Sequence, residues 1–131
     1  MNFDRREVAA VFAGGVIGTL ARVGLTQLFV SSDTSWPWAV FAINISGCLL
    51  LGYLVTQLQE RLPLSTYRRQ LLATGLCGAY TTFSTMQLEL LDMWNAHRFG
   101  LVAAYLGASV IFGYIAIHVS TAVTRGVRLG R

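Results

Sequence analysis

The chain has 131 residues, 54% of them hydrophobic and 12% charged, with a net charge of +4 carried by ten arginines and no lysine. Soluble domains carry roughly 25% charged residues, so composition argues against a soluble enzyme, a nucleic-acid module and a secreted disulfide scaffold together. Mean hydropathy is +0.56, and four bilayer-spanning helices of about 20 residues each use most of the length, leaving short loops and tails.

The first span is expected at 8–30. Asp4-Arg5-Arg6-Glu7 runs straight into it with no small-residue cleavage site, so the segment is expected to stay in the protein rather than leave as a signal peptide. Gly14, Gly18 and Arg22 are four apart and share one helix face, with Gly15 beside them. Small residues at that spacing allow close helix packing. An arginine at this depth keeps its proton and costs about 2.5–3.5 kcal/mol on insertion scales. Arg22 must therefore pair, snorkel or face water, and in a water-filled cavity it would attract anions.

A polar loop, Ser31 to Ser35, leads to Trp36-Pro37-Trp38. Tryptophan suits a membrane interface, and proline suits the first turn of the next helix. The second span is expected at 38–58. It carries Asn44, Cys48 and Gly52 on one face, with Gly47 close by. An asparagine in a span either bonds a neighbouring helix or offers its two N–H donors to an anion.

A basic loop at 59–70 contains Arg61, Pro63, Arg68 and Arg69. The third span, at 71–94, has Gly75 and Gly78 followed by Tyr80, Thr81, Thr82, Ser84 and Thr85. Hydroxyls crowd its middle, and threonine is a poor helix former. A broken helix is expected, because non-helical backbone at membrane depth is tolerated where it is buried in protein or lines a cavity. Freed carbonyls there suit a cation and half-helix N-termini suit an anion. The alternative is an unbroken polar helix packed against three others. Glu89 lies near the far end and reads as an interface carboxylate.

The fourth span, at 101–123, carries Tyr105, Ser109 and Gly113 at four-residue spacing, and His118 further along. Tyr105 suits either a polar stripe or an interface belt; His118 reads as a packing residue before a proton relay. Cys48 and Cys77 sit in apolar stretches and read as packing groups; two cysteines alone make no zinc site. An even number of spans puts both termini and the second loop on one side. That side holds Arg5, Arg6, Arg61, Arg68, Arg69, Arg125, Arg128 and Arg131, against Arg98 alone on the other. The positive-inside rule then places the termini in the cytoplasm, with the chain in the inner membrane.

The Gly14-Gly15-x-x-Gly18-x-x-x-Arg22 run, Asn44-x-x-Gly47-Cys48 with Gly52, and Gly75-x-x-Gly78-x-x-Thr81-Thr82-Phe83-Ser84-Thr85-x-x-x-Glu89 together resemble the Fluc fluoride-channel family, also called CrcB. The resemblance covers nearly the whole chain, and the third-span motif is its specific part. It implies an all-α membrane protein of four helices with a broken third, assembled as an antiparallel dimer, that lets fluoride leave the cytoplasm passively. It implies a structural sodium ion on backbone carbonyls of Gly78 and Thr81 from each subunit. It implies an anion path along Asn44, Phe83, Ser84, Thr85, Tyr105 and Ser109, with Arg22 raising the local anion concentration. The chain departs from the family pattern at Met86, where a second phenylalanine is usual, and at Gly113 and Ile117, where the fourth-span stripe lacks hydroxyls. The arginine bias favours one insertion orientation, so the second subunit is either another copy or an oppositely biased paralogue.

Two other classes fit four short spans. A multidrug or cation antiporter needs a membrane carboxylate, but the first span has none and carries Arg22 instead. A non-transporting assembly subunit would use its polar stripes as packing glue. No nucleophile–base pair or side-chain metal cluster points to an enzyme.

Overall fold

The computed structural model describes residues 4–29, 35–60 and 66–126. Positions 30–34, with Arg61, Pro63, Arg128 and Arg131, lie outside the described residues. Every described element is helical: α1 (Arg5–Leu28), α2 (Trp38–Glu60), α3 (66–80), α4 (Phe83–Asn95) and α5 (Phe99–Gly126). Asp4 caps α1, its Oδ1 accepting the Arg6 backbone N–H at 2.9 Å. Pro37 immediately precedes α2 and supplies the carbonyl that accepts the Phe41 N–H at 3.0 Å. Proline is suited there because its own missing N–H is one the helix start would leave unpaired.

Among the described residues, three helices are long and apolar enough to cross a membrane, α1, α5 and the Trp38–Leu58 part of α2. Most of the α1 and α5 surfaces face outward: Phe12, Leu20, Val110 and Tyr114 are all exposed. In water such a surface would drive aggregation; against lipid tails it is matched. The chain is a multi-pass membrane protein.

The third expected span is two helices, α3 and α4, meeting at Thr81 and Thr82. Both residues are extended, with φ −76° and ψ 157° at Thr81 and φ −143° and ψ 119° at Thr82. The expected break is present, and the unbroken alternative is set aside. Within α3, Gln70–Cys77 is a π-helix, a wider winding that often marks functional sites.

Glycines seat α1 on this segment. A Cβ at Gly14 would collide with the Leu71 carbonyl, and one at Gly18 with the Leu76 carbonyl. From the other side, a Cβ at Gly75 would lie 2.5 Å from the Val11 oxygen. The two backbones are in direct contact, as small-residue packing allows. Gly15 has open space around it, so the stripe at 14 and 18 does the packing. On the opposite side α2 packs along α5: a Cβ at Gly52 would lie 2.9 Å from the Ile117 oxygen. The Ser120 hydroxyl donates to the Leu49 carbonyl at 2.6 Å.

Two small buried clusters complete the packing. Val40, Met86, Leu90, Met93 and Tyr105 join α2, α4 and α5. Leu54, Leu58 and Cys77 join α2 to α3. Cys48 and Cys77 are free thiols.

The α4–α5 turn is closed by the Arg98 N–H on the Met93 carbonyl at 2.9 Å, with His97 at φ 56°. This is a glycine-type helix ending made by a histidine.

Candidate functional site

The break in the third span is held by one side chain from α2. Asn44 Nδ2 donates to the Thr82 carbonyl at 3.0 Å, and the Thr82 N–H donates to Asn44 Oδ1 at 2.9 Å. The amide thus supplies one donor and one acceptor to a backbone that has left the helical ladder. Such groups cannot go unpaired in lipid. Asn44 retains a second N–H. Both uses left open by its sequence position are available: one donor holds the neighbouring element and one is spare.

Thr82 is buried and also caps α4. Its hydroxyl accepts the Thr85 N–H at 3.2 Å and lies 2.9 Å from the Thr85 hydroxyl and 3.4 Å from that of Ser84. Three hydroxyls therefore gather at the N-terminus of a thirteen-residue helix, where the macrodipole is positive. Tyr80, on the other side of the break, shares a 2.8 Å hydrogen bond with Ser46 of α2.

Two grooves flank the break. One of about 360 Å³ is lined by Asn44, Cys48, Cys77, Gly78, Thr81 and Phe83, among others. Phe83 is 70% exposed, beside the buried Thr82. The other, of about 260 Å³, brings Arg22, Thr26 and Gln27 of α1 together with Thr82 and Thr85. Arg22 is half-buried; it neither pairs with a carboxylate among the described residues nor sits on an outer helix face. It faces a groove that ends on the α4 hydroxyls.

The carbonyls near the break differ in their engagement. That of Cys77 accepts both the Thr81 N–H at 3.1 Å and the Thr81 hydroxyl at 3.0 Å. In a continuous helix the Gly78 carbonyl would receive the Thr82 N–H, but that donor goes to Asn44. Gly78 is exposed, and a Cβ there would touch nothing within 4 Å.

Tyr105 is fully buried and donates to Glu89 Oε2 at 2.8 Å. It is not a belt residue, and Glu89 is not a bare interface carboxylate. Tyr105 packs among Trp36, Phe41 and Met86, so Met86 faces the interior while Phe83 faces out. Ser109 is half-buried, and Gly113 lies against Cys48 Sγ. His118 is exposed and packs against Tyr114, with ring centroids 4.2 Å apart and planes tilted by 56°. Ser84 is exposed beside the break.

The geometry brings Asn44, Arg22, Phe83, Ser84 and Thr85 to the two sides of one break. Tyr105 lies in the buried cluster beside them, bonded to Glu89 one turn along α4 from Thr85. Sequence reasoning did not single out Thr82, whose side chain and backbone both hold the junction. Threonine is a favoured N-cap residue, and its place just before Phe83 carried that signal.

This constellation defines a multi-pass membrane protein whose third span is interrupted by polar residues, with an arginine lining one adjoining groove. The chain belongs to the CrcB family: the family model described as CrcB-like protein, Camphor Resistance (CrcB), matches residues 9–121. It is 52% identical over 130 residues to the fluoride-specific ion channel FluC 1 of Mycobacterium bovis, covering 99% of this chain and 98% of that one. It is 35% identical over 117 residues to the fluoride-specific ion channel FluC of Synechococcus sp., covering 88% and 90%. A relative of the same description from Acidobacterium capsulatum is 38% identical over 109 residues, covering 82% and 86%.

Proposed function

We propose that the protein is a passive fluoride channel that lowers cytoplasmic fluoride, with its pore shared between two antiparallel subunits. The observation that carries this reading is the third-span break. There a spare Asn44 donor, the α4 N-terminus with its hydroxyls and the exposed ring of Phe83 lie between two grooves. Fluoride is small and strongly hydrated, so a selective path must replace its water with compact donors. Asn44, Ser84 and Thr85 provide N–H and O–H groups. Phe83 offers the positive edge of its ring. Arg22 concentrates anions at the groove mouth. Ser109 adds a half-buried hydroxyl on α5, and the buried Tyr105 acts through its hydroxyl on Glu89, one turn along α4 from Thr85.

Sharing between subunits is supported by Phe83 and Gly78, which are exposed beside the break. The second subunit is another copy or an oppositely biased relative, and the arginine excess on one side favours termini in the cytoplasm of the inner membrane. The Gly78 and Thr81 carbonyls fit a structural sodium ion: they are hard oxygen donors, and the Gly78 oxygen has lost its helical N–H to Asn44. When bound, sodium would add positive potential beside the anion path. The residues themselves do the binding and orienting: Asn44 fixes the break, Thr82 caps α4, and Arg22 charges the entrance.

The test is fluoride efflux from liposomes holding the purified assembly, with chloride as control. Flux is expected for fluoride alone and is expected to vanish in Asn44→Ala and Phe83→Ala assemblies that remain folded. Unchanged flux in those variants would remove the residues from the path. Labelling of single cysteines placed at each terminus distinguishes the pairings, because a homodimer exposes each terminus on both faces.

A further inference from the structure

Outside the break, the most organised polar feature is where α1 begins beside the start of α3. Asp4 receives the Arg6 N–H on Oδ1 and the Tyr67 hydroxyl on Oδ2, at 2.9 and 2.8 Å. That second bond joins positions 63 residues apart and ties Arg5-Arg6 to Arg68-Arg69. All four arginines are exposed. Arg6 also acts on Asp4 and Tyr67 through its charge, so the clamp includes one of the four guanidiniums. The nearby acid Glu7 is half-buried on the next turn. These hydrogen bonds keep the Asp4 carboxyl below its ordinary range and the Tyr67 hydroxyl above its own. The clamp is therefore intact at neutral pH. Directly below it, toward the bilayer, Val8 and Phe12 are exposed.

We infer that the two arginine pairs clamped by Asp4 and Tyr67 form a binding surface for the phosphate headgroups of anionic phospholipids. Guanidinium forks engage phosphate through paired N–H bonds, which an ammonium cannot do, and every cation on this surface is arginine. The cluster sits where α1 and α3 leave their apolar stretches, at headgroup depth. Val8 and Phe12 offer contact to acyl chains just beneath. Basic residues at that depth attract anionic leaflets in general; the clamp makes this a defined site, because it fixes the spacing of the two pairs.

The experiment measures lipid retained by the purified assembly after exchange from vesicles of equal phosphatidylglycerol and phosphatidylcholine. The wild type is expected to keep phosphatidylglycerol in excess. Arg68→Gln with Arg69→Gln is expected to weaken retention about thirtyfold. Tyr67→Phe leaves every charge in place and is also expected to lose the excess, with thermal unfolding checked to show that the fold persists. Wild-type retention by Tyr67→Phe would mean diffuse attraction and overturn the site. Retention unaffected by the double glutamine change would overturn the surface. Displacement of the lipid by an equal concentration of inorganic phosphate would assign the arginines to a soluble anion and overturn the lipid assignment.

Discussion

Replacing Asn44 with leucine keeps the branching of the side chain and removes both of its bonds to Thr82. Thr82 is 6% exposed, so its N–H and carbonyl would lose partners in a place water does not readily reach. An unpaired buried group costs about 1–3 kcal/mol. Interhelical hydrogen bonds measured within membranes average nearer 0.6 kcal/mol, since the unfolded chain also finds partners. Two such losses give an expected destabilisation of about 1–4 kcal/mol. Thr82→Val is the internal comparison: it deletes the hydroxyl cap of α4 but keeps both backbone bonds to Asn44, and a lost cap costs about 1 kcal/mol. Equilibrium unfolding in mixed micelles, followed by helical circular dichroism, reads both. The expected order is a larger loss for Asn44→Leu. A loss under about 0.5 kcal/mol for Asn44→Leu, or the reverse order, would refute the claim that this amide holds the break.

Three further outcomes follow from particular contacts. Gly14→Val is expected to prevent α1 from seating on α3, because its Cβ would enter the Leu71 carbonyl, whereas Gly15→Ala has open space and should fall within about 0.5 kcal/mol of wild type; similar melting temperatures for the two would contradict the packing described. Tyr105→Phe removes the donor to Glu89 and is expected to cost about 1–3 kcal/mol, measured by the same unfolding titration. The Asp4 carboxyl is held below its ordinary range by the Arg6 N–H and then the Tyr67 hydroxyl, so its contribution is present above the usual carboxylate range and is lost as pH falls through the lowered value; Asp4→Asn should flatten that part of the pH–stability curve, and an unaltered curve would show that the clamp adds nothing.

Much of the architecture was legible because lipid makes polar residues expensive. Gly75, Gly78 and the hydroxyls from Tyr80 to Thr85 could not form an ordinary spanning helix without partners, and the chain breaks there at Thr81 and Thr82. The Gly14–Gly18 stripe was legible for the same reason, as a face meant for close approach. The π-helical winding of Gln70–Cys77 was not, since it answers to the backbone of α1 and not to local preference. Asn44 could be placed at the right depth but not assigned a partner 38 residues away. Tyr105 shows the limit most clearly. Its spacing with Ser109 suited a polar stripe, yet its burial and its bond to Glu89 depend on how α2, α4 and α5 come together.

The central claim is tested most directly by loading liposomes with fluoride, reconstituting the folded assembly at about one per vesicle, and following release with a fluoride electrode against a chloride control. The account predicts that fluoride leaves rapidly and completely from protein-containing vesicles while chloride stays. Retention of fluoride by a demonstrably folded assembly, or release of chloride at a comparable rate, would contradict it.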